Sequence, residues 1–136
     1  MKTCGIEIKA NSAIITCLSG SIDDYEIFSK DVKKISLNDT KSQEDVRLFY
    51  VDILTFFKEH SFDKIGIKAR SEKGKFSGGA LSFKMEGLIQ NTDYSVDIIH
   101  GATIKSGIKE LMPDFSQVNK YQEEAFKAAL YLLKSK

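Results

Sequence analysis

The stretch Cys4-Gly5-Ile6-Glu7-Ile8-Lys9-Ala10-Asn11-Ser12-Ala13-Ile14-Ile15-Thr16-Cys17-Leu18 decides the fold. Cys4, Ile6 and Ile8 alternate with Gly5, Glu7 and Lys9, the period of a strand. Asn11-Ser12 is a turn signal, and residues 13–18 are a second run of short and β-branched apolar residues. A connection this short predicts an antiparallel hairpin.

Outward from the hairpin, Ser19-Gly20-Ser21 signals another turn, and residues 22–24 are ambiguous. Residues 25–37 read as a third strand, with Ile27, Val32, Ile35 and Leu37 apolar and Lys30, Lys33 and Lys34 charged. That lysine content suits a sheet edge, where charge discourages pairing with another chain. A long helix follows, with Ser42 as its N-cap and Glu44 and Asp45 in its first turn, where carboxylates suit the helix dipole. Val46, Phe49, Tyr50, Ile53, Phe56 and Phe57 recur every three or four residues and form its apolar face. The pattern fades at His60-Ser61. Residues 63–69 read as a strand, 80–90 as a helix and 95–100 as a strand. Residues 103–111 read as a short helix capped by Thr103 and stopped by Met112-Pro113. Residues 120–134 read as a last helix with a stripe of Tyr121, Ala125, Ala128, Ala129, Leu132 and Leu133. The predicted order is β-β-β-α-β-α-β-α-α. Strand–helix–strand units need right-handed crossovers and parallel strands. The expected fold is therefore α/β, a mixed five-stranded sheet of three antiparallel strands followed by parallel strands, with helices on both faces.

A length of 136 residues fits one domain spanning residues 1–136. With 42% apolar and 29% charged residues, the composition is that of a globular chain and argues against disorder. The net charge of +1 excludes a global electrostatic pull toward nucleic acid or an acidic membrane, so any basic site must be local. Cys4 and Cys17 lie in apolar strands, without metal-knuckle spacing, and read as buried free thiols. The chain enters a strand at once, without a long apolar run or cleavage signal, which predicts no signal peptide. No apolar stretch approaches the roughly 20 residues that cross a bilayer. The expected location is the cytoplasm.

The order of elements resembles the ribonuclease H-like fold, and local sequence narrows the likeness to RuvC-type Holliday junction resolvases. Gly5-Ile6-Glu7 resembles the Gly-Ile-Asp of their first strand. Ile65-Gly66-Ile67-Lys68 sits where their fourth strand ends in a glutamate. Gly78-Gly79-Ala80-Leu81-Ser82-Phe83-Lys84, Ile104-Lys105-Ser106-Gly107-Ile108-Lys109 and Glu124-Ala125-Phe126-Lys127-Ala128-Ala129-Leu130 resemble the starts of their next helix, their short lysine-bearing helix and their last helix. The stretch Gly74-Lys75-Phe76-Ser77-Gly78-Gly79-Ala80-Leu81-Ser82-Phe83-Lys84 is more sharply similar to a small bacterial family, a domain of unknown function placed in the same fold. In the resolvases, carboxylates from the first strand, fourth strand and last helix converge on two Mg²⁺ ions. The resemblance implies that Glu7 takes the first of those places and Glu124 the last, with Glu123 beside it. Tyr121 falls where a second helix carboxylate is expected. Lys68 falls at the fourth-strand place, where an ammonium repels a metal. The implied centre is degenerate, a Glu7–Lys68–Glu124 cluster with no metal and no cofactor. The ammonium would supply the positive charge that two neighbouring carboxylates need.

Residues 68–84 carry Lys68, Arg70, Lys73, Lys75 and Lys84 against the single acid Glu72, with Phe76 and Phe83 interleaved. Gly74, Gly78 and Gly79 let a backbone approach a ligand, and a helix start follows. Arg70, Lys73, Lys75, Gly78, Gly79 and Lys84 are thus a candidate phosphate or nucleic-acid grip, although no Walker A pattern is present. The competing reading is a flexible solvated loop with both phenylalanines in the core. His60 and His100 read as structural. Lys105, Lys109, Lys120 and Lys127 read as solvated helix faces. Three functions remain open. The first is a non-catalytic module that binds nucleic acid or another phosphate-bearing ligand. The second is a nuclease using Mg²⁺ or Mn²⁺ with Glu7, Glu124 and Glu72. The third is an interaction protein, for example a homodimer.

Overall fold

The computed structural model describes residues 1–69 and 79–135. Its elements are β1 (Lys2–Lys9), β2 (Ser12–Ser21), β3 (Asp24–Phe28), β4 (Lys34–Ser36), α1 (Gln43–His60), β5 (Lys64–Lys68), α2 (Ala80–Gln90), β6 (Val96–Ile99), α3 (Gly101–Gly107) and α4 (Glu123–Lys134). The sheet runs β3-β2-β1-β5-β6, and β4 pairs with β2 beside β3. The pairings β1–β2 and β2–β3 are antiparallel, and β1–β5 and β5–β6 are parallel. This is the mixed α/β architecture that the order of elements predicts.

The period of two sorts the sheet residues onto two faces. Cys4, Ile6, Ile8, Ala13, Ile15, Cys17, Ile65 and Ile67 join Phe49, Ile53, Phe56 and Phe57 of α1 and Met85 and Ile89 of α2 in one core. Leu18 and Ile99 join Ile104 of α3 and Phe126, Ala128, Ala129 and Leu132 of α4 in a second. Helices therefore cover both faces. Ser42 caps α1 by accepting from the Asp45 N–H at 3.2 Å. Cys4 and Cys17 are buried free thiols standing opposite each other on β1 and β2. Burial, then the neighbouring Cys17, pushes the Cys4 thiol well above its ordinary value.

Three local expectations change. The strand expected over residues 25–37 divides into β3 and β4, because Ser29 adopts a left-handed backbone (φ 54°) and Val32 N–H closes a turn on the Ser29 carbonyl at 3.1 Å. The chain rejoins β2 when Ile15 N–H donates to Lys33 O at 2.9 Å. The short helix starts at Gly101 instead of Thr103, directly after β6, and no side chain caps it. The last helix is preceded by a 3₁₀ turn, Lys120–Gln122, so its α-helical part begins at Glu123. The Gln122 side chain there donates to Ile15 O at 2.9 Å, taking the place of a ladder partner between β3 and β4.

The helix α4 lies against the backbone of β1. A Cβ on Gly5 would stand 2.1 Å from Ala125 O and 2.5 Å from Ala129 N. Thr3 donates its hydroxyl to Ala129 O at 3.0 Å. Gly66 pairs with Gly5 across the strands, and a Cβ there would stand 2.8 Å from Ile99 Cδ1 and 3.0 Å from Leu132 Cδ1. We expect Gly5→Ala to cost about 3 kcal/mol, since backbone atoms cannot give way. Gly87→Ala, in open space within α2, should instead stabilise by about 0.5–1 kcal/mol. Urea unfolding of the two variants checks the contrast, and an unchanged midpoint for Gly5→Ala would contradict the packing described.

Candidate functional site

Three side chains meet where β1, β5 and α4 come together. The β1–β5 register pairs Gly5 with Gly66 and Ile6 with Ile67. One step further along, Glu7 and Lys68 emerge side by side on the face that α4 covers. The helix supplies Glu124 from its first turn. Lys68 Nζ donates to Glu124 Oε1 at 2.6 Å and stands 3.9 Å from Glu7 Oε2. Lys127, one turn along α4, donates to the other oxygen of Glu124 at 2.9 Å. All four side chains are half-buried.

The two carboxylates titrate in opposite directions. Burial pushes the Glu7 carboxyl above the usual range; Lys68 opposes this, Glu124 adds to it, and Lys9 and Lys127 oppose it more weakly. Burial also pushes on Glu124, but the hydrogen bonds from Lys68 and Lys127 outweigh it and hold Glu124 below the usual range. Lys68 thus serves Glu124 by contact and Glu7 only by proximity.

A divalent ion needs oxygen ligands turned toward it. Here both Glu124 oxygens are taken by ammonium groups, and Lys68 stands between the two acids. Among the described residues, no group of three or more His, Cys, Asp or Glu side chains is placed to hold a metal. The described residues do not fit a two-metal centre.

Arg70, Lys73, Lys75 and Gly78, together with Glu72 and Phe76, lie outside the described residues. Gly79 occupies the N-cap position of α2, with open space where a Cβ would stand. Lys84 donates to Thr40 O at 2.7 Å, tying α2 to the segment before α1. Phe83 is 43% exposed and does not join the core. Tyr121 is exposed in the 3₁₀ turn, beneath the Lys34 ammonium at 6.0 Å. His60 packs against Phe56, Phe28 and Phe62, with Ser29 Oγ 3.2 Å from its Nε2. His100 occupies the N-cap position of α3 and makes no capping hydrogen bond from its side chain.

Sequence reasoning missed Lys105 and Lys127. Both line a cavity of about 360 Å³ with Lys68, Glu124, Gly101, Ala102 and Ile104. The spacing of Lys127 from Glu124 was a visible signal for the pair on α4. Nothing local signals that α3 brings Lys105 to the same place.

A family of proteins of unknown function, DUF3010, matches residues 1–132. The chain belongs to the DUF3010 family. No curated protein matches the sequence. Among solved structures, Thermus thermophilus RuvC is similar at a TM-score of 0.69 and 8% identity, covering 96% of this chain and 92% of that one. A T. thermophilus RuvC in complex with a Holliday junction substrate is similar at 0.68 and 10% identity, covering 96% and 91%. At such identities the likeness shows the fold, which is ribonuclease H-like. Among the described residues, no helix is long and apolar enough to cross a membrane.

The opposite shifts give this DUF3010 protein a testable acid response. A carboxylate held below its unfolded value stabilises the fold above the unfolded value, and loses that contribution as pH falls through the folded one. Glu124→Gln should therefore cost about 1 kcal/mol at pH 7, the scale of a partly exposed pair, and the deficit should fade in acid. A carboxyl raised by burial runs the other way, its ionisation weakening the fold as pH rises through the raised value. Glu7→Gln should leave stability unchanged or raised at pH 7. Urea unfolding at pH 7 and pH 3 checks both signs, and equal losses for the two variants at pH 7 would contradict them.

Proposed function

We propose that this protein is a non-catalytic ribonuclease H-like domain that binds nucleic acid or another phosphate-bearing ligand at the carboxyl ends of its parallel strands. One observation carries the reading: the Lys68 ammonium lies between Glu7 and Glu124, at 3.9 and 2.6 Å. A cation fixed to the chain replaces the exchangeable cations of a metal nuclease, and with it goes the activation of water by a metal. The fold keeps its ligand-facing end, since open α/β sheets receive ligands beyond the carboxyl ends of their strands. A RuvC of the same fold has been seen in complex with a Holliday junction substrate, which supports nucleic acid as the first ligand to try. The run Arg70, Lys73 and Lys75 adds positive charge directly after β5 in the sequence. The two reduced, buried thiols suit a cytoplasmic location.

The test is a titration against labelled single-stranded, duplex and branched DNA and RNA at two salt concentrations, with Mn²⁺ and then with chelator. The expected result is binding that weakens with salt, survives chelator and produces no cleavage. Metal-dependent cleavage would overturn the reading and favour a nuclease built on Glu7, Glu124 and Glu72. Absence of binding under every condition would remove nucleic acid as the ligand, and a failure to bind phosphate and nucleoside monophosphates as well would overturn the reading in favour of a protein partner or a homodimer. In parallel, Lys68→Glu should convert a chain that ignores Mn²⁺ into one that binds it, read by calorimetry. Mn²⁺ binding by the unaltered chain would count against the role given to Lys68.

A further inference from the structure

The cavity beside the Glu7–Lys68–Glu124 cluster has a charge pattern that the cluster does not use. Its lining brings Lys68 from the end of β5, Lys105 from α3 and Lys127 from α4 around Glu124. Lys68 and Lys127 are both bonded to Glu124. Among the described residues, Lys105 has no carboxylate partner. Three lysines of the lining therefore stand against one carboxylate of the lining, Glu124, while Glu7 lies outside the lining, 3.9 Å from Lys68; the lysine left without a carboxylate is Lys105. The remaining wall is small or apolar, formed by Gly101, Ala102 and the buried Ile104. A Cβ on Gly101 would come within 3.2 Å of Lys68 Cε, so the lysine stem would have to give by a few tenths of an ångström.

We propose that this cavity binds a phosphomonoester, with Lys105 and Lys127 as its ligands and Lys68 holding Glu124 back from the anion. The proposal rests on the reading of this end of the sheet as a phosphate site, and specifies the kind of phosphate. Two features favour a monoester over the diester of a continuous strand. A volume of about 360 Å³ lies at the small end of ligand pockets and receives a terminal group, whereas a diester has substituents on both sides and needs an open groove. A monoester also carries close to two negative charges and three terminal oxygens, which suits one unpaired ammonium plus one shared with Glu124. The neighbouring carboxylate disfavours a weakly charged ligand, so Lys68 must keep Glu124 paired while the anion is bound. The same chemistry is offered by a free nucleoside monophosphate and by the phosphorylated end of a nucleic-acid strand.

The experiment is a calorimetric titration with inorganic phosphate, adenosine monophosphate, and one oligonucleotide prepared with a phosphate at its 5′ end, at its 3′ end or at neither. A phosphorylated ligand should bind about tenfold more tightly than its hydroxyl counterpart, roughly the worth of one charge-assisted hydrogen bond. Lys105→Ala should erase that preference, and Lys109→Ala, an exposed lysine outside the cavity, should keep it. Binding of adenosine monophosphate as tight as that of the phosphorylated strand identifies the free ester as the source. A preference seen only with the strand identifies a strand end. Equal, salt-sensitive binding of phosphorylated and hydroxyl strands overturns this proposal while leaving the nucleic-acid reading in place. Binding of phosphate or the monophosphate with no oligonucleotide binding supports the pocket and removes the nucleic-acid reading. A Lys105→Ala variant that matches the unaltered chain with every ligand overturns the pocket outright.

Discussion

The rest of the structure depends on the contact between the backbone of α4 and the backbone of β1. A helix normally stands off a sheet by the length of its side chains. Here Gly5 has no side chain, and Ala125 and Ala129 oppose it, so the two backbones approach until a single added carbon would overlap Ala125 O. Thr3 fastens the same contact by donating to Ala129 O. Further along the helix, Gly66 admits Leu132, and Lys64 Nζ bonds Ser135 O at 2.6 Å. The apolar side chains of β1 and β5 pack on the opposite face, under α1 and α2.

That approach determines what happens at the other end of α4. With the helix held down at Gly5, its first turn is brought over the ends of β1 and β5, and Glu124 arrives beside Glu7. Two carboxylates in half-buried surroundings repel each other and lose hydration. The chain answers with Lys68, and with Lys127 on the outer side. The answer is unequal. Glu124 receives two hydrogen bonds and is held ionised, whereas Glu7 receives only the field of Lys68 at 3.9 Å and is pushed up by burial. Such asymmetry follows from geometry, since one ammonium cannot bond two carboxylates at full strength from a single position.

Much of this was legible in the chain. The alternation in residues 4–9 and the apolar run in 13–18 specify a hairpin, because a half-buried strand must repeat every two residues. The 3.6-residue recurrence from Val46 to Phe57 specifies α1, and Ser42 its start. Other features resisted reading because their causes are not local. The lysine-rich segment after Tyr25 reads as one strand, yet Ser29 turns out of the sheet, and Gln122, distant in sequence, fills the gap on β2. Helix α3 starts two residues before its apparent cap, because β6 runs straight into it.

At the candidate site, the sequence by itself determined the residue types and their phase: Glu7 on the Gly5 face of one strand, Lys68 on the Gly66 face of another, and Glu124 in the first turn of a helix. A period of two or of 3.6 is a local property, and a carboxylate or ammonium is visible without coordinates. Only the tertiary structure decided which of these meet. The convergence of Lys68 on Glu124, the weaker hold on Glu7 and the arrival of Lys105 at the same cavity all depend on how closely α3 and α4 approach the sheet. That distance is set by glycines and alanines on three separate elements acting together, and no single stretch of the chain carries it.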